Sequence, residues 1–126
     1  MIIAHGIDMV DIESTRRLLT DPTGQLLARC FTVQEQQSAG EGLDRPNRLS
    51  GRFAVKEAVM KALGTGFGEG IGFLDVEIVS LPSGAPTVVL HRKAKVRAAA
   101  MGIDRWLVST SHEGNMVIAS VIALGT

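Results

Sequence analysis

Apolar residues recur along residues 52–63 at the spacing of three and four that is typical of an α-helix. One wide apolar stripe consists of Ala54, Val55, Ala58, Val59, Ala62 and Leu63. Phe53 and Met60, seven residues apart, lie outside this stripe, so we expect the helix to be covered on more than one side. Gly64 supplies the left-handed cap that ends such a helix.

Shorter patterns before this helix predict a strand and three small helices. Residues 2–10 are mostly β-branched and apolar, which is typical of a strand, and their alternation places Asp8 on the same face as Gly6. The small helices are predicted over residues 12–19, with Asp11 as the N-cap, 25–30 and 33–38, with a capping box at Thr32 and Glu35. As an alternative to a start near Arg52, Asp44 with Pro46 can begin the central helix.

The residues after the central helix predict a hairpin, a basic helix and two long strands. The hairpin is formed by residues 74–80 and 87–90, which are joined by a loop rich in proline and glycine. Residues 92–101 are rich in alanine and basic side chains, as in a helix, and residues 106–112 alternate as in a strand. Residues 117–124 are almost wholly apolar, so we expect this strand to be buried on both faces.

The composition limits the possible fold and function. A length of 126 residues predicts one domain, residues 1–126, and the order of elements predicts an α+β fold with antiparallel strands packed on one long helix. The net charge of +0 and the aromatic content of 4% argue against a nucleic-acid partner. The single cysteine, Cys30, excludes an internal disulfide and a cysteine-based zinc cluster.

The sequence predicts neither a membrane segment nor a secretory leader. His5, Asp8 and Asp11 interrupt the apolar residues near the start of the chain. No apolar run reaches the length that is needed to cross a bilayer. We therefore expect a cytoplasmic protein that has no membrane partner.

Glu57 and Lys61 stand four residues apart, between the two apolar surfaces of the central helix. An ordinary salt bridge along the helix, worth about 0.2–0.5 kcal/mol, explains them without any function. A binding site is the alternative, because glycine occupies every second position from residue 64 to residue 72. Glycines let backbone N–H groups approach an anion, and Lys61, one turn earlier, is well placed to meet a phosphate.

Four further side chains are candidates whose roles stay open. Because Asp11 can cap the first helix, Asp8 is a spare carboxylate at the end of an apolar strand, although it can also stabilise a turn. His112, at the end of a strand, is either a structural histidine or a ligand or base. Arg16 and Arg17 either keep the surface soluble or contact an acidic partner.

Four segments occur in the order and spacing of one family pattern. They are Gly6-Ile-Asp-Met-Val-Asp-Ile12, Phe31-Thr-Val-Gln-Glu35, Arg52-Phe-Ala-Val-Lys-Glu-Ala-Val-Met-Lys-Ala62 and Val108-Ser-Thr-Ser-His112. Together they resemble the bacterial holo-[acyl-carrier-protein] synthases, which are 4′-phosphopantetheinyl transferases. The similarity covers essentially the whole chain, and its Lys-Glu-Ala-x-x-Lys-Ala core is quite specific when Gly-x-Asp precedes it near the N-terminus.

The resemblance implies a Mg²⁺-dependent transfer of phosphopantetheine from coenzyme A to a serine of apo acyl carrier protein, with 3′,5′-ADP as the other product. Asp8 and Glu57 match the positions that hold the metal. Lys61, and with it Lys56, can add positive charge at the phosphates. The serine proton passes to Glu57, to a water on the metal or to His112, and we favour the first two. The reaction supports fatty acid biosynthesis.

The resemblance also implies how the two substrates are bound. Coenzyme A is expected to contact Lys61, Gly64, Thr65, Gly66 and His112, the last of these near its nucleotide part. The carrier protein, which is acidic, is expected to dock on the first helix through Arg16 or Arg17.

The resemblance further implies a homotrimer with its active sites at the subunit boundaries. A domain of this size buries only about two-thirds of its unfolded surface, and Phe53, Met60 and the strand 117–124 offer apolar area to a partner. The alternative is that Phe53 and Met60 pack inside their own subunit. Two other functions stay open, namely another Mg²⁺-dependent nucleotide-binding transferase and a non-catalytic oligomeric binding domain.

Overall fold

The computed structural model describes residues 1–64 and 70–126. The strands are β1 (Ile2–Asp11), β2 (Val76–Ser80), β3 (Pro86–Leu90), β4 (Arg105–Glu113) and β5 (Met116–Leu124). The helices are α1 (Ile12–Leu19), α2 (Gln25–Cys30), α3 (Val33–Ser38), α4 (Arg45–Leu63) and α5 (Arg92–Met101), with a 3₁₀ turn at Phe73–Asp75. Apart from the start of α4, these bounds lie within about two residues of the predicted ones, which is the usual precision of helix and strand ends.

The three longest strands form an antiparallel sheet in the order β1–β5–β4, and β2 pairs with β3 in a separate antiparallel hairpin. Helix α4 packs across one face of the three-stranded sheet, where Val55, Val59 and Leu63 join the main hydrophobic core. The predicted α+β fold, with antiparallel strands on a long central helix, is confirmed. Within the described ranges, no helix combines the length and apolar character that crossing a membrane requires.

Helix α4 begins at Arg45, so the start near Arg52 that the apolar pattern favoured is wrong. The alternative start is correct, because Pro46 lies in the first turn, where its missing N–H is not needed. The first turns are held from outside the helix, since Arg45 donates a hydrogen bond to the carbonyl oxygen of Gln36 (2.9 Å). These turns carry few apolar residues, so periodicity alone does not show them.

Strand β5 is buried on one face only, so the prediction that both of its faces are buried is wrong. The buried residues are Val117, Ala119, Val121 and Ala123. On the opposite face, Met116 and Ile118 are exposed. The reason is that α4 covers a single face of the three-stranded sheet.

Phe53 and Met60 pack within their own chain, so the alternative interpretation of these residues is correct. Met60 is buried in the main core. The ring of Phe53 is half-buried, with its centroid 6.0 Å from that of Phe31 and 4.9 Å from that of Phe73. The second apolar surface of α4 is therefore covered by neighbouring elements of the same chain.

Strand β1 lies directly on the backbone of α4 at Gly6. A Cβ atom at this position would overlap the carbonyl oxygen of Ala58 and would lie 3.2 Å from the amide nitrogen of Ala62. Only a residue without a Cβ allows this approach. Asp8 follows two residues later on the same face of β1, so the contact also brings its side chain to α4.

A fully buried ion pair fastens α3 and β2 to α4. Nζ of Lys56 donates to Oε1 of Glu35 (2.5 Å), and both side chains are 0% exposed. Glu35 completes a capping box with Thr32, and its Oε2 accepts the backbone N–H of Ile78 (3.0 Å). Nζ of Lys56 also lies 5.5 Å from the ring centroid of Phe31. The pair is thus fully satisfied inside the chain, as buried charges require.

Candidate active site

Asp8, on β1, forms an ion pair with Lys61, near the C-terminal end of α4. Nζ of Lys61 donates to Oδ1 of Asp8 (2.8 Å) and to the carbonyl oxygen of Ile7 (3.0 Å). The side chain of Asp8 is 10% exposed and that of Lys61 is 58% exposed. The hydrogen bond from Lys61 to Asp8 raises the pKa of the lysine. The ion-pair partner of Lys61 is therefore Asp8 and not Glu57, so the interpretation of Glu57 and Lys61 as an ordinary salt bridge along the helix is not supported.

Glu57 lies beside the Asp8 carboxylate. Partial burial, together with the negative charge of Asp8, raises the pKa of Glu57 to about 7, although the positive charge of Lys61 opposes this rise. Oδ2 of Asp8 is buried and accepts no hydrogen bond from any residue in the described ranges. Buried carboxylate oxygens are normally paired. The arrangement therefore favours a proton or a cation between the two carboxyl groups.

The two carboxyl groups fit a small, hard cation. Proteins hold Mg²⁺ with one or two carboxylates, and substrate phosphates and water supply the other oxygens. Asp8 and Glu57 provide two such groups, and the buried Oδ2 of Asp8 is unpaired among the described residues. Across residues 1–64 and 70–126, no group of three or more His, Cys, Asp or Glu side chains is arranged to hold a metal ion. A cation between Asp8 and Glu57 would therefore depend on ligand oxygens for its remaining contacts.

His112 is exposed at the end of β4 and does not belong to this group. It lines a cavity of about 500 Å³ between α4, the β2–β3 hairpin and the end of β4. Arg48 and Arg52 of α4 line the same cavity and contribute two guanidinium groups, whereas Asp8 and Lys61 do not line it. The predicted site residues of one chain therefore fall into two separate groups.

The sequence patterns do not single out Arg48 and Arg52 as binding residues. The helix start predicted near Arg52 left Arg48 outside the helix. Once α4 is known to begin at Arg45, the spacing of four residues puts both arginines on one face. That spacing is the signal by which sequence reasoning could have found them.

The remaining predicted contacts divide into three cases. Lys56 is fully buried against Glu35, so the prediction that it adds charge at the phosphates is wrong. Gly64 has the predicted left-handed conformation, with a φ of 72°, at the end of α4. Thr65 and Gly66 lie outside the described residues.

Replacing Glu57 with glutamine is expected to change the pH dependence of stability in the metal-free protein. A carboxyl group whose pKa rises from 4.5 to about 7 on folding binds its proton more tightly in the folded state. Its contribution to the free energy of unfolding is full below the unfolded pKa and is lost as the pH rises towards the folded one. Because glutamine does not titrate, Glu57→Gln should lose less stability than the wild type between those two pKa values.

Urea denaturation at a series of pH values, with a chelator present, measures this difference. Glu113→Gln, which changes an exposed carboxyl group at the end of β4, is the control and should follow the wild type. Identical pH profiles for the wild type and Glu57→Gln would contradict the raised pKa of Glu57.

Known protein sequences place this arrangement in one family. A sequence profile of the 4′-phosphopantetheinyl transferase superfamily matches residues 4–119. A holo-[acyl-carrier-protein] synthase of Nitratidesulfovibrio vulgaris is 54% identical over 122 residues, which cover 97% of this chain and 98% of that protein.

Two solved structures of such synthases share the fold. The holo-[acyl-carrier-protein] synthase of Neisseria meningitidis is 30% identical with a TM-score of 0.83, and the match covers 98% of this chain and 99% of that one. The synthase of Helicobacter pylori, in complex with coenzyme A, is 30% identical with a TM-score of 0.82, and the match covers 95% and 99%. The chain belongs to the 4′-phosphopantetheinyl transferase superfamily.

Proposed function

We propose that this chain, as one domain over residues 1–126, is a cytoplasmic holo-[acyl-carrier-protein] synthase that serves fatty acid biosynthesis. It transfers the 4′-phosphopantetheine group of coenzyme A to a serine of apo acyl carrier protein and releases 3′,5′-ADP. The observation that carries the proposal is the buried, unpaired Oδ2 of Asp8 beside Glu57. Membership of the superfamily and the identity of 54% to a synthase support the same reaction.

The chemistry follows from the groups at the site. The serine oxygen forms a bond to the β-phosphorus of coenzyme A, and the bond from that phosphorus to the oxygen of 3′,5′-ADP breaks. Asp8 and Glu57 would hold Mg²⁺, which would supply positive charge to the pyrophosphate. Lys61, oriented by Asp8, presents its exposed ammonium group to the same phosphates. The serine proton is proposed to pass to Glu57 or to a water in the site; the pKa of about 7 is that of Glu57 without a metal, and a bound cation would lower it.

The nucleotide part of coenzyme A is proposed to occupy the cavity at His112. Its volume of about 500 Å³ is typical of a small-molecule site. Arg48 and Arg52 offer charged donors to a phosphate there. The backbone around Gly64, with Thr65 and Gly66 as further proposed contacts, would then meet the phosphates that lie closer to Lys61.

The active form is proposed to be a homotrimer that holds coenzyme A between neighbouring chains. The face of the three-stranded sheet opposite α4 carries exposed apolar side chains on all three strands: Ile7, Met9, Leu107, Met116 and Ile118. An apolar face of this kind can be covered by further copies around a cyclic axis. In such an assembly, the His112 cavity of one chain can lie beside Asp8 and Glu57 of the next, so that both groups serve one substrate.

A mass-spectrometric assay tests the reaction and its metal site together. With coenzyme A and Mg²⁺, the chain should add about 340 Da, the mass of one transferred phosphopantetheine group, to apo acyl carrier protein. Asp8→Asn, which keeps the shape of the side chain but loses its charge, should reduce the rate by about a hundredfold or more at every Mg²⁺ concentration.

Asp104→Asn, which removes an exposed carboxylate away from the site, is the control for this assay. Near-normal transfer by Asp8→Asn would rule out the metal site. Absence of the mass increase with the wild type would favour the other Mg²⁺-dependent transferase or the binding domain.

Carrier protein is proposed to dock on α1 through Arg17. Arg16 is already paired with Glu13 (2.7 Å), whereas the guanidinium group of Arg17 has no hydrogen bond or ion pair among the described residues. Arg17→Glu should raise the KM for the acidic carrier protein about tenfold and leave the KM for coenzyme A unchanged. Lys95→Glu, a charge reversal on the exposed side of α5, is the matched control. An equal change in both KM values for Arg17→Glu would refute docking at this position.

Mixing two variants, each defective in one half of the proposed site, tests whether the active site is shared. Asp8 and Lys61 contact each other within one chain, so they belong to the same half of the site. Asp8→Asn and His112→Ala affect different halves, and an equal mixture reassembled at random should regain about a quarter of the wild-type sites. Light scattering gives the stoichiometry of the assembly. If trimers form and the mixture stays inactive, the two halves do not meet across a subunit boundary.

A further inference from the structure

Helix α5 holds the end of α4 through Arg97. Nε of Arg97 donates to the carbonyl oxygen of Leu63 (3.1 Å), the last residue of α4. Nη2 of Arg97 lies 3.7 Å from the position that a Cβ atom on Gly64 would take. The backbone N–H of Gly64 already closes the helix by donating to the carbonyl oxygen of Lys61 (3.0 Å). The bond from Arg97 is therefore not needed to end α4, and it orients the peptide group through which the chain leaves the helix.

The same helix also holds the chain from Gly70 to Asp75. The side chain of Lys93 lies so close to Gly70 that a Cβ atom there would be 2.7 Å from Nζ, and Gly70 has a φ of 78° that favours glycine. Arg92, the residue before Lys93, donates to Oδ1 of Asp75 (2.5 Å), and Oδ2 of Asp75 accepts the backbone N–H of Gly72 (2.9 Å). One short basic helix thus contacts the chain on both sides of residues 65–69.

We propose that Arg97 is a positioning residue for coenzyme A, and that Lys93 assists it from the other side. The inference rests on the proposed function, in which the backbone around Gly64 meets the phosphates of coenzyme A. Lys93 and Arg97 lie one helical turn apart on α5, so one face of this helix packs beside both Gly70 and Gly64, and Arg97 adds a hydrogen bond to the peptide group before Gly64. Groups held in place before binding lose less conformational freedom when the ligand binds, which increases affinity.

Arg97 could instead act by direct contact between its charge and a phosphate, and two substitutions separate these roles. Glutamine carries a nitrogen at the same position along the side chain as Nε of arginine. Arg97→Gln therefore keeps a donor for the carbonyl oxygen of Leu63 but loses the charge. Arg97→Met has a side chain of the same length as the glutamine variant but loses both the donor and the charge.

Calorimetric titration of the full chain with coenzyme A measures the effect of each substitution. Arg97→Met should raise the Kd about three- to tenfold, as expected for one lost hydrogen bond that positions the ligand site. Arg97→Gln should stay within about twofold of the wild type, which is the usual size of a surface substitution effect. The KM for carrier protein should be unchanged in both variants. Lys95→Met, on the exposed side of the same helix, is the control and should bind as the wild type does.

Three results would overturn the positioning role. Equal weakening by Arg97→Gln and Arg97→Met would mean that the charge of Arg97 acts directly. Wild-type affinity in Arg97→Met would mean that the bond to Leu63 does not matter for binding. A parallel rise in the KM for carrier protein would indicate a general structural defect. The affinity measurement does not require turnover, so a failure of the transfer reaction itself would be recognised separately in the mass-spectrometric assay.

Discussion

The site depends on how closely β1 approaches α4 at Gly6. The strand rests on the helix backbone at Ala58, which is possible because position 6 has no Cβ atom. Asp8 is two residues away on a strand that is paired along its length with β5, so it cannot move independently of this contact. The hydrogen bond of 2.8 Å between Asp8 and Lys61 therefore depends on a backbone packing contact in which no side chain of the candidate site takes part. The chemistry of the site is positioned by packing.

Two adjacent residues of α4, Lys56 and Glu57, have opposite electrostatic environments: Lys56 lies beside a group of opposite charge, and Glu57 lies beside a group of like charge. Lys56 is buried and paired with Glu35, and although burial lowers the pKa of Lys56, the carboxylate beside it opposes that change. Breaking a buried pair of this kind costs roughly 3–5 kcal/mol, so it holds α4 firmly against α3 and β2. Glu57 lies instead beside a second carboxylate that has an unpaired oxygen among the described residues. Because the ion pair of Lys56 with Glu35 fixes the helix, the helix can also carry Glu57 beside Asp8. These two carboxyl groups are satisfied by a proton or a bound cation.

Much of the fold could be predicted from the sequence because its signals are local. The caps at Asp11, Thr32 and Gly64 involve residues at most four positions away, and the structure contains all three. The start of α4 was less predictable, since its first turns are held by carbonyl oxygens of α3 and of the loop after α3. The outer face of β5 was misread, because an apolar side chain in a sequence does not reveal whether its own chain covers it.

The candidate site shows the same limit. The sequence marked Asp8, Glu57 and Lys61 as candidates, because charged residues between apolar positions are unusual. It could not show that Lys61 is paired with Asp8, since that contact joins residues far apart in the chain. Nor could it show that His112 lies in a separate cavity with Arg48, because both the helix start and the position of β4 had to be known.

The continuity of α4 restricts where the chain can change in length. The helix is uninterrupted from Arg45 to Leu63, and Arg52 lies about 14 Å from Lys61 along its axis. One residue inserted between them would turn Lys61 by about 100° around the helix and carry it away from Asp8. Surface loops tolerate insertions far better, because the entropy of closing a loop grows slowly with its length. Insertions and deletions in related chains should therefore occur outside this helix. The number of residues between the positions of Arg52 and Lys61 should stay constant.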